Sequence, residues 1–197
     1  MVRVGVLALQ GDFREHTEIL SGLGMEAVEV RTAKHLQGCD SLIIPGGEST
    51  TIAKLADAFE LMGPLREFGD RHPIWGTCAG AILLSQGAQR EQPLLGLMDI
   101  TVQRNAFGRQ VDSFETELQV SELEVPEKPF RAVFIRAPLI SRVGENVEVI
   151  CRLPTNREST DDGIVAARQG KFLATCFHPE LTEDPRFHQY FIQMAQE

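Results

Sequence analysis

The sequence predicts an α/β fold: a single three-layer domain over residues 1–197, with a mostly parallel central sheet that antiparallel strands extend. In the first half of the chain, strand-like and helix-like segments alternate, which implies a parallel sheet covered on both faces. In the second half, strand candidates follow one another with short turns, which is typical of antiparallel pairing. With 197 residues and 43% apolar content, the chain is large enough to bury one core without metal or disulfide bonds.

The first half begins with a strand at residues 2–9 that is nearly all apolar, as expected of a strand buried on both faces. Asp12 can cap the first helix, and Gly24 closes it. The pattern then predicts further strands at 26–30, 41–44 and 74–76 and helices at 51–59 and 65–68.

The second half contains strand candidates with short turns between them. Pro185 can open a last helix that runs to Met194 with one apolar stripe. Residues 156–162 are polar and are predicted to form a surface loop. The strand candidates lie at 97–102, 114–120, 132–135, 147–152, 164–168 and 171–176.

Composition excludes several classes of function. The net charge is −9 at pH 7 and Lys and Arg do not cluster, so we expect no nucleic-acid partner. The cysteines, at 39, 78, 151 and 176, lack C-x-x-C spacing, which argues against a zinc site or a redox pair; we expect neither metal nor cofactor. No stretch approaches the ~20 apolar residues that span a bilayer, and the first apolar run is too short for a signal peptide. A cytoplasmic, reducing location is the resulting expectation.

The segment Gly-Thr-Cys-Ala-Gly at 76–80 joins a predicted strand to a helix-like run. It is a cysteine version of the nucleophile elbow, in which glycines let the chain turn sharply without a Cβ clash. The following helix N-terminus favours the thiolate over the thiol. A buried, inert cysteine is the alternative, and it is our interpretation for the other three. For Cys78 the context predicts a nucleophile.

A cysteine nucleophile needs a histidine, which in turn needs a third group to orient it. His178 precedes Pro179, which favours extended backbone, and Glu180 would then project on the same side. We therefore predict His178 as the base and Glu180 as its partner; an ordinary surface pair is the alternative. The remaining histidines are interpreted as surface or solvated side chains: His16, His35, His72 and His188.

The segment Pro-Gly-Gly-Glu-Ser-Thr-Thr at 45–51 follows an apolar strand and precedes a helix. It lacks the lysine of a phosphate-binding P-loop. Adjacent glycines instead allow backbone N–H groups to approach a ligand closely. We predict that Gly46 and Gly47, with the N–H of Ala79, form an oxyanion hole.

Together these segments resemble the triad, or class I, glutamine amidotransferases, and within them the glutaminase subunits of pyridoxal 5'-phosphate synthases. The matching segments run in order along nearly the whole chain, and the run that begins Arg-Asn-x-Phe-Gly-Arg-Gln is the most specific. The loop at 156–162 looks longer than the usual turn of the family. The segments are 5–11, 45–51, 76–80, 104–115 (Arg-Asn-Ala-Phe-Gly-Arg-Gln-Val-Asp-Ser-Phe-Glu), 133–138 (Val-Phe-Ile-Arg-Ala-Pro) and 177–182 (Phe-His-Pro-Glu-Leu-Thr).

The resemblance implies that Cys78, His178 and Glu180 hydrolyse L-glutamine through a γ-glutamyl thioester. It also implies that ammonia passes to a pyridoxal 5'-phosphate-forming synthase subunit in a large hetero-oligomer, with the loop at 10–12 near the docking face. Glutamine carries an α-carboxylate and an α-ammonium that suit charged partners. The residues implied to bind it are Gly47, Glu48, Ser49, Arg104, Ile135 and Arg136.

Other functions remain open at this stage. The chain could serve another synthase, or act as a γ-glutamyl hydrolase without a partner. A cysteine hydrolase with its histidine beside the elbow cysteine is less compatible, because Ala79 occupies that place. A purely structural subunit would have no chemical reason to keep cysteine, histidine and glutamate together.

Overall fold

A computed structural model describes residues 2–89, 91–104, 106, 113–154 and 163–197. The predicted loop at 156–162 and most of the 105–112 segment lie outside the described residues. The strands are β1 (Arg3–Leu7), β2 (Glu26–Val30), β3 (Ser41–Ile44), β4 (Ile74–Thr77), β5 (Ser85–Ala88), β6 (Met98–Gln103), β7 (Ser113–Leu118), β8 (Phe130–Ile135), β9 (Leu139–Val143), β10 (Glu148–Arg152), β11 (Ile164–Gln169) and β12 (Phe172–Thr175). The α-helices are α1 (Phe13–Gly22), α2 (Ser49–Ala58), α3 (Met62–Gly69), α4 (Ala79–Leu84) and α5 (Arg186–Met194).

The central sheet has the order β2-β1-β3-β4-β12-β11-β9-β6-β5, and β10 pairs with β11. The strands from β2 to β12 are parallel, while β11 and β9 pair antiparallel with their neighbours. This confirms the predicted α/β fold with antiparallel extension. However, β7 and β8 pair with each other in a separate two-stranded sheet instead of extending the central one. The prediction of a single domain over residues 1–197 stays a prediction.

Two strands, β5 and β9, were not predicted. The Ser-Gln-Gly-Ala sequence of β5 has no β-branched or aromatic side chain. In β9 the pairing with β6 shifts register between Thr101 and Val102, so alternation of apolar residues does not extend along the strand. Both strands are therefore held by their neighbours in the sheet more than by their own sequence.

Two of the parallel strands, β3 and β4, are buried along their whole length. Every residue of β3 and of β4 is buried, as expected from their mostly apolar sequences. Trp75 of β4 is fully buried and lies against Phe187 and Phe191 of α5. Among the described residues, no helix combines the length and the apolarity that a bilayer crossing requires.

Three neighbouring parallel strands bring the predicted site together. In register, Ile44 at the end of β3 lies beside Gly76 of β4, and Thr175 of β12 lies beside Thr77 of β4. The carboxyl ends of β3, β4 and β12 therefore share one edge of the sheet. Ligands of open α/β sheets bind at this edge.

Candidate active site

Cys78 lies in the tight turn between β4 and α4, with φ 47° and ψ −103°. A positive φ is a strained conformation for a residue with a side chain, and such strain concentrates at functional sites. Steric constraints explain why glycine stands on both sides of this turn. A Cβ at Gly76 would lie 2.5 Å from the backbone of Gly80, and one at Gly80 would lie 1.9 Å from the Ile44 carbonyl oxygen. The turn thus has the geometry of a nucleophile elbow.

His178 and Glu180 are joined by a hydrogen bond of 2.7 Å between Nδ1 and Oε1. The reason is not the extended backbone that the sequence suggested, and that expectation was wrong. The strand ends at Thr175, and Pro179–Leu181 form a short 3-10 helix with His178 as its N-cap residue. This turn brings Glu180 back to the imidazole, and both side chains are almost completely buried.

The imidazole of His178 contacts three partners. Its Nδ1 lies 2.7 Å from Glu180 Oε1 and 3.3 Å from Asp12 Oδ2. Its third partner is Cys78, whose side chain favours the charged form of the imidazole. Burial alone would lower the pKa of His178, but its interactions with Asp12, Cys78 and Glu180, whose negative charges favour the imidazolium, outweigh burial and raise the pKa to about 12. The site therefore favours an imidazolium beside the cysteine.

The carboxyl group of Glu180 is enclosed on all sides. Burial raises its pKa from the ordinary value, and the hydrogen bond with His178 opposes that shift. The side chain has no exposed surface. A carboxylate in this position fixes the orientation of the imidazole and stabilises its charged form.

Asp12 is a contact of His178 that the sequence analysis assigned to a different role. It occupies the N-cap position of α1, but within the described residues its side chain makes no capping hydrogen bond. Its backbone N–H donates to the Gly46 carbonyl, and Gly11 leaves room for that contact, since a Cβ there would lie 1.8 Å from the same oxygen. The signal that could have found it is position: Asp12 follows β1, the parallel neighbour of β3.

Of the three residues predicted to form the oxyanion hole, two line the cavity and one lies behind it. Gly47 has φ +147° and lines the cavity together with Ala79 and Cys78. Ala79 is the first residue of α4, so its N–H has no acceptor within the helix. Gly46 is buried behind them, and a Cβ there would lie 2.5 Å from Cε1 of His178. Gly46 thus makes room for the imidazole.

A cavity of about 410 Å³ opens in front of Cys78. Nine of the predicted site residues line it; Glu180 and Gly46 lie behind its wall. Sequence reasoning did not select three further lining residues, Asp12, Ile82 and Pro138. The nine are Gly47, Glu48, Ser49, Cys78, Ala79, Arg104, Ile135, Arg136 and His178.

Opposite charges meet on the wall of this cavity. Arg104 forms a 2.9 Å ion pair with Glu48, and it also donates to Thr50 Oγ1 and to Gln92 Oε1. Burial opposes ionisation of Glu48, but its hydrogen bonds with Thr51, Arg104 and Thr50 lower its pKa to about 2. Gln92 was not predicted. It lies outside the recognised motifs and reaches the site only through the fold.

Another part of the cavity wall comes from the end of β8. This strand ends at Ile135, and the chain turns at Arg136, which has φ +43°. Ile135 is 40% exposed. Two of the non-glycine residues with positive φ, Cys78 and Arg136, therefore line the same cavity. Residues 105 and 107–112, which follow Arg104, lie outside the described residues.

One group of side chains could present ligands to a metal ion. The ligand atoms of Asp12, His178 and Glu180 lie within 4.8 Å of one another. The hydrogen bond and ion pair between the imidazole and the carboxylates account for this proximity. The arrangement suits acid–base chemistry at His178.

Comparisons with known proteins identify relatives of this chain. The model of the SNO glutamine amidotransferase family matches residues 6–197. A Herpetosiphon aurantiacus protein named pyridoxal 5'-phosphate synthase subunit PdxT is 58% identical over 195 residues, covering 96% of this chain and 98% of that protein. A Thermus thermophilus protein of the same name is 55% identical over 196 residues, covering 98% and 97%. A solved structure described as a glutamine amidotransferase has a TM-score of 0.89 at 52% identity and covers 98% of this chain and 99% of its own.

Proposed function

Because the chain belongs to the SNO glutamine amidotransferase family, we propose that it is the glutaminase subunit of a pyridoxal 5'-phosphate synthase. It hydrolyses L-glutamine to L-glutamate and ammonia. The name printed for both similar proteins supports the subunit assignment. The observation that carries the chemistry is the strained Cys78, which shares a cavity with a histidine that is itself hydrogen-bonded to Glu180.

The reaction proceeds through a covalent intermediate. The Cys78 thiolate attacks the side-chain carboxamide carbon of glutamine, and backbone N–H groups of Gly47 and Ala79 stabilise the oxyanion. His178 donates a proton to the departing nitrogen, so that ammonia leaves and a γ-glutamyl thioester remains. The same imidazole then takes a proton from water, which attacks the thioester and releases glutamate and the thiolate.

The charges of the cavity suit the amino-acid end of glutamine. In this proposal the guanidinium of Arg104 binds the α-carboxylate and the carboxylate of Glu48 binds the α-ammonium; both side chains line the cavity, which supports these roles. Ser49, Ile135 and Arg136 complete the wall. A cavity of about 410 Å³ is in the range of small-molecule sites. The α-carboxylate and α-ammonium of glutamine would bind at the ion pair of Arg104 and Glu48, and its carboxamide would face Cys78.

Ammonia is the reason for a partner. In water near neutral pH, ammonia is protonated and loses its nucleophilicity. A synthase subunit that receives it through a sheltered path avoids this loss. We expect that subunit to dock near the loop at 10–12 in a large hetero-oligomer; the side chains of Ile135 and Leu181, 40% and 42% exposed, provide apolar surface on this part of the molecule.

The proposal is tested by measuring glutamate release with and without the synthase subunit. Cys78→Ala should lower kcat by about 10³-fold or more, because no other group can form the thioester. Cys39→Ala is the matched control: Cys39 is also buried, but it hydrogen-bonds to the His35 carbonyl away from the cavity. Retained glutaminase activity in Cys78→Ala would refute the nucleophile. Hydrolysis of γ-glutamyl peptides in preference to glutamine would favour the partner-free hydrolase instead.

A further inference from the structure

Behind the catalytic residues, a chain of buried histidines leads from Glu180 into the core. His16 of α1 places Nε2 at 3.4 Å from Glu180 Oε2 and at 3.3 Å from Thr77 Oγ1. Its other nitrogen, Nδ1, lies 2.9 Å from Nε2 of His188 on α5. Both histidines have 0% exposure. They correct the sequence-based interpretation of His16 and His188 as surface or solvated residues.

The charge state of both rings follows from their surroundings. Burial, with further contributions from His188 and His178, lowers the pKa of His16 well below its ordinary value. Burial also lowers the pKa of His188, to about 3. Both rings are therefore neutral near neutral pH, and each carries one N–H and one lone pair.

The position of the single hydrogen on His16 can be deduced from its neighbours. If Nδ1 carried it, Nε2 would direct a lone pair at the Glu180 carboxylate, and the two would repel each other. If Nε2 carries it, the N–H faces both Thr77 Oγ1 at 3.3 Å and Glu180 Oε2 at 3.4 Å, and Nδ1 accepts from the Nε2–H of His188. The second arrangement leaves His188 Nδ1 as an acceptor, and within the described residues that atom has no hydrogen-bond partner.

We propose that His16 is a positioning residue of the glutaminase: its Nε2–H holds Oε2 of Glu180, so that Oε1 stays on His178. The inference rests on the proposed function and extends it. Among the described residues, Oε2 has no hydrogen bond of ordinary geometry, so the 3.4 Å contact with His16 is the polar restraint on that oxygen. Without it, the carboxylate could rotate away from the imidazole. His188 serves the same end one step further back, since it fixes the tautomer of His16.

Aromatic contacts hold both rings in place. The His16 ring lies edge-on to Trp75 at 5.8 Å, and the His188 ring does so at 5.0 Å. Trp75 belongs to β4, the strand that leads to Cys78. β4, which leads to Cys78, therefore packs against the same histidines that restrain Glu180. A substitution at His16 can thus affect the imidazole of His178 without contacting glutamine.

The test is a set of substitutions that differ in reach. In His16→Gln the amide nitrogen lies near the place of Nε2 and can still donate to Glu180. In His16→Asn it lies near the place of Nδ1, so it reaches His188 but not Glu180. We expect His16→Asn and His16→Leu to lower kcat by about 10-fold or more, the usual effect of losing a hydrogen bond to a charged group, while His16→Gln stays within about 3-fold of the wild type. The KM for glutamine should not change, because His16 lies outside the cavity.

A double-mutant cycle separates positioning from a general loss of packing. Once Glu180→Ala has removed the carboxylate, His16→Asn should lower kcat by no more than about 2-fold further. Phe191→Leu is the packing control, because Phe191 contacts the same tryptophan without a polar link to Glu180. Equal activity of His16→Gln and His16→Asn, or an undiminished effect in the Glu180→Ala background, would overturn the inference. An inactive wild type, or an active Cys78→Ala, would instead refute the proposed function.

Discussion

Alanine at Gly46 should displace the catalytic imidazole without breaking the fold. The new Cβ would lie 2.5 Å from Cε1 and 2.9 Å from Nδ1 of His178, and 3.2 Å from Asp12 Oδ2. Carbon atoms in contact are usually about 3.5–4.0 Å apart, so the ring must retreat by about 1 Å. The backbone of Gly46 is not in the left-handed region, so the strain falls on the imidazole and not on the main chain.

A displacement of about 1 Å in a catalytic group lowers rates by about 10²-fold, which corresponds to about 3 kcal/mol of transition-state stabilisation. Overpacking should lower the free energy of unfolding by about 1–3 kcal/mol. Glutamate release in the presence of the synthase subunit measures the first effect, and urea unfolding measures the second. KM should change little, since Gly46 does not line the cavity.

Gly63→Ala is the matched control for this experiment. Gly63 lies in α3, and apart from its chain neighbours a Cβ there would meet no atom within 4 Å. Alanine favours helix over glycine, but Pro64 follows and disfavours helical backbone for a residue with a Cβ, so the free energy of unfolding should change by no more than about 1 kcal/mol while activity is unchanged. If Gly46→Ala were as active as Gly63→Ala, the inference that the catalytic imidazole of His178 lies against Gly46 would be wrong.

Three further substitutions test the binding, electrostatics and packing of the chain. Arg104→Met should raise KM for glutamine by about 10-fold or more with little change in kcat, because a charged hydrogen bond to the α-carboxylate is lost; an unchanged KM in steady-state kinetics would contradict this. Burial lowers the pKa of His188 to about 3. The unfolded chain therefore binds an extra proton at this residue below about pH 6.5, and the contribution of His188 to the free energy of unfolding falls by about 1.4 kcal/mol per pH unit from there towards pH 3. His188→Leu should reduce the slope by this amount, as measured by urea unfolding across that range, while the slope contributed by the buried His16 remains; a variant with the wild-type slope would contradict the assignment. Arg186→Met should destabilise the protein by about 3–5 kcal/mol, because a nearly buried guanidinium pairs with Asp184 and donates to several backbone carbonyls. Its activity per folded molecule should be normal, and an unchanged unfolding midpoint would argue against the pairing.

The parallel half of the fold could be predicted because its signals are local. Strands buried on both faces read as apolar runs, and the glycine-bracketed turn around Cys78 encodes its own geometry. The antiparallel half was harder to predict. β5 has no intrinsic strand preference, and β7 leaves the central sheet to pair with β8, a choice made by tertiary contacts.

The candidate site likewise has a part that the sequence predicts and a part that depends on the fold. Sequence motifs supplied most of the side chains that line the cavity, but not Asp12 and not the contacts behind the wall. Asp12 was interpreted as a cap, and Gln92 lies in no motif; both reach the site only because the sheet edge gathers distant loops. His16 and His188 looked like exposed helix residues because burial of a polar side chain depends on a partner that is far away in sequence.

The position of β12 has a consequence for synthesis of the protein. This strand is the last of the central sheet to leave the ribosome, yet it fills the gap between β4 and β11. Until it arrives, the nascent chain has two open strand edges in the middle of its sheet, which invite aggregation and make assistance by chaperones useful. The same order means that a partly synthesised chain holds the thiol without its base, so no glutamine is consumed before translation is nearly finished.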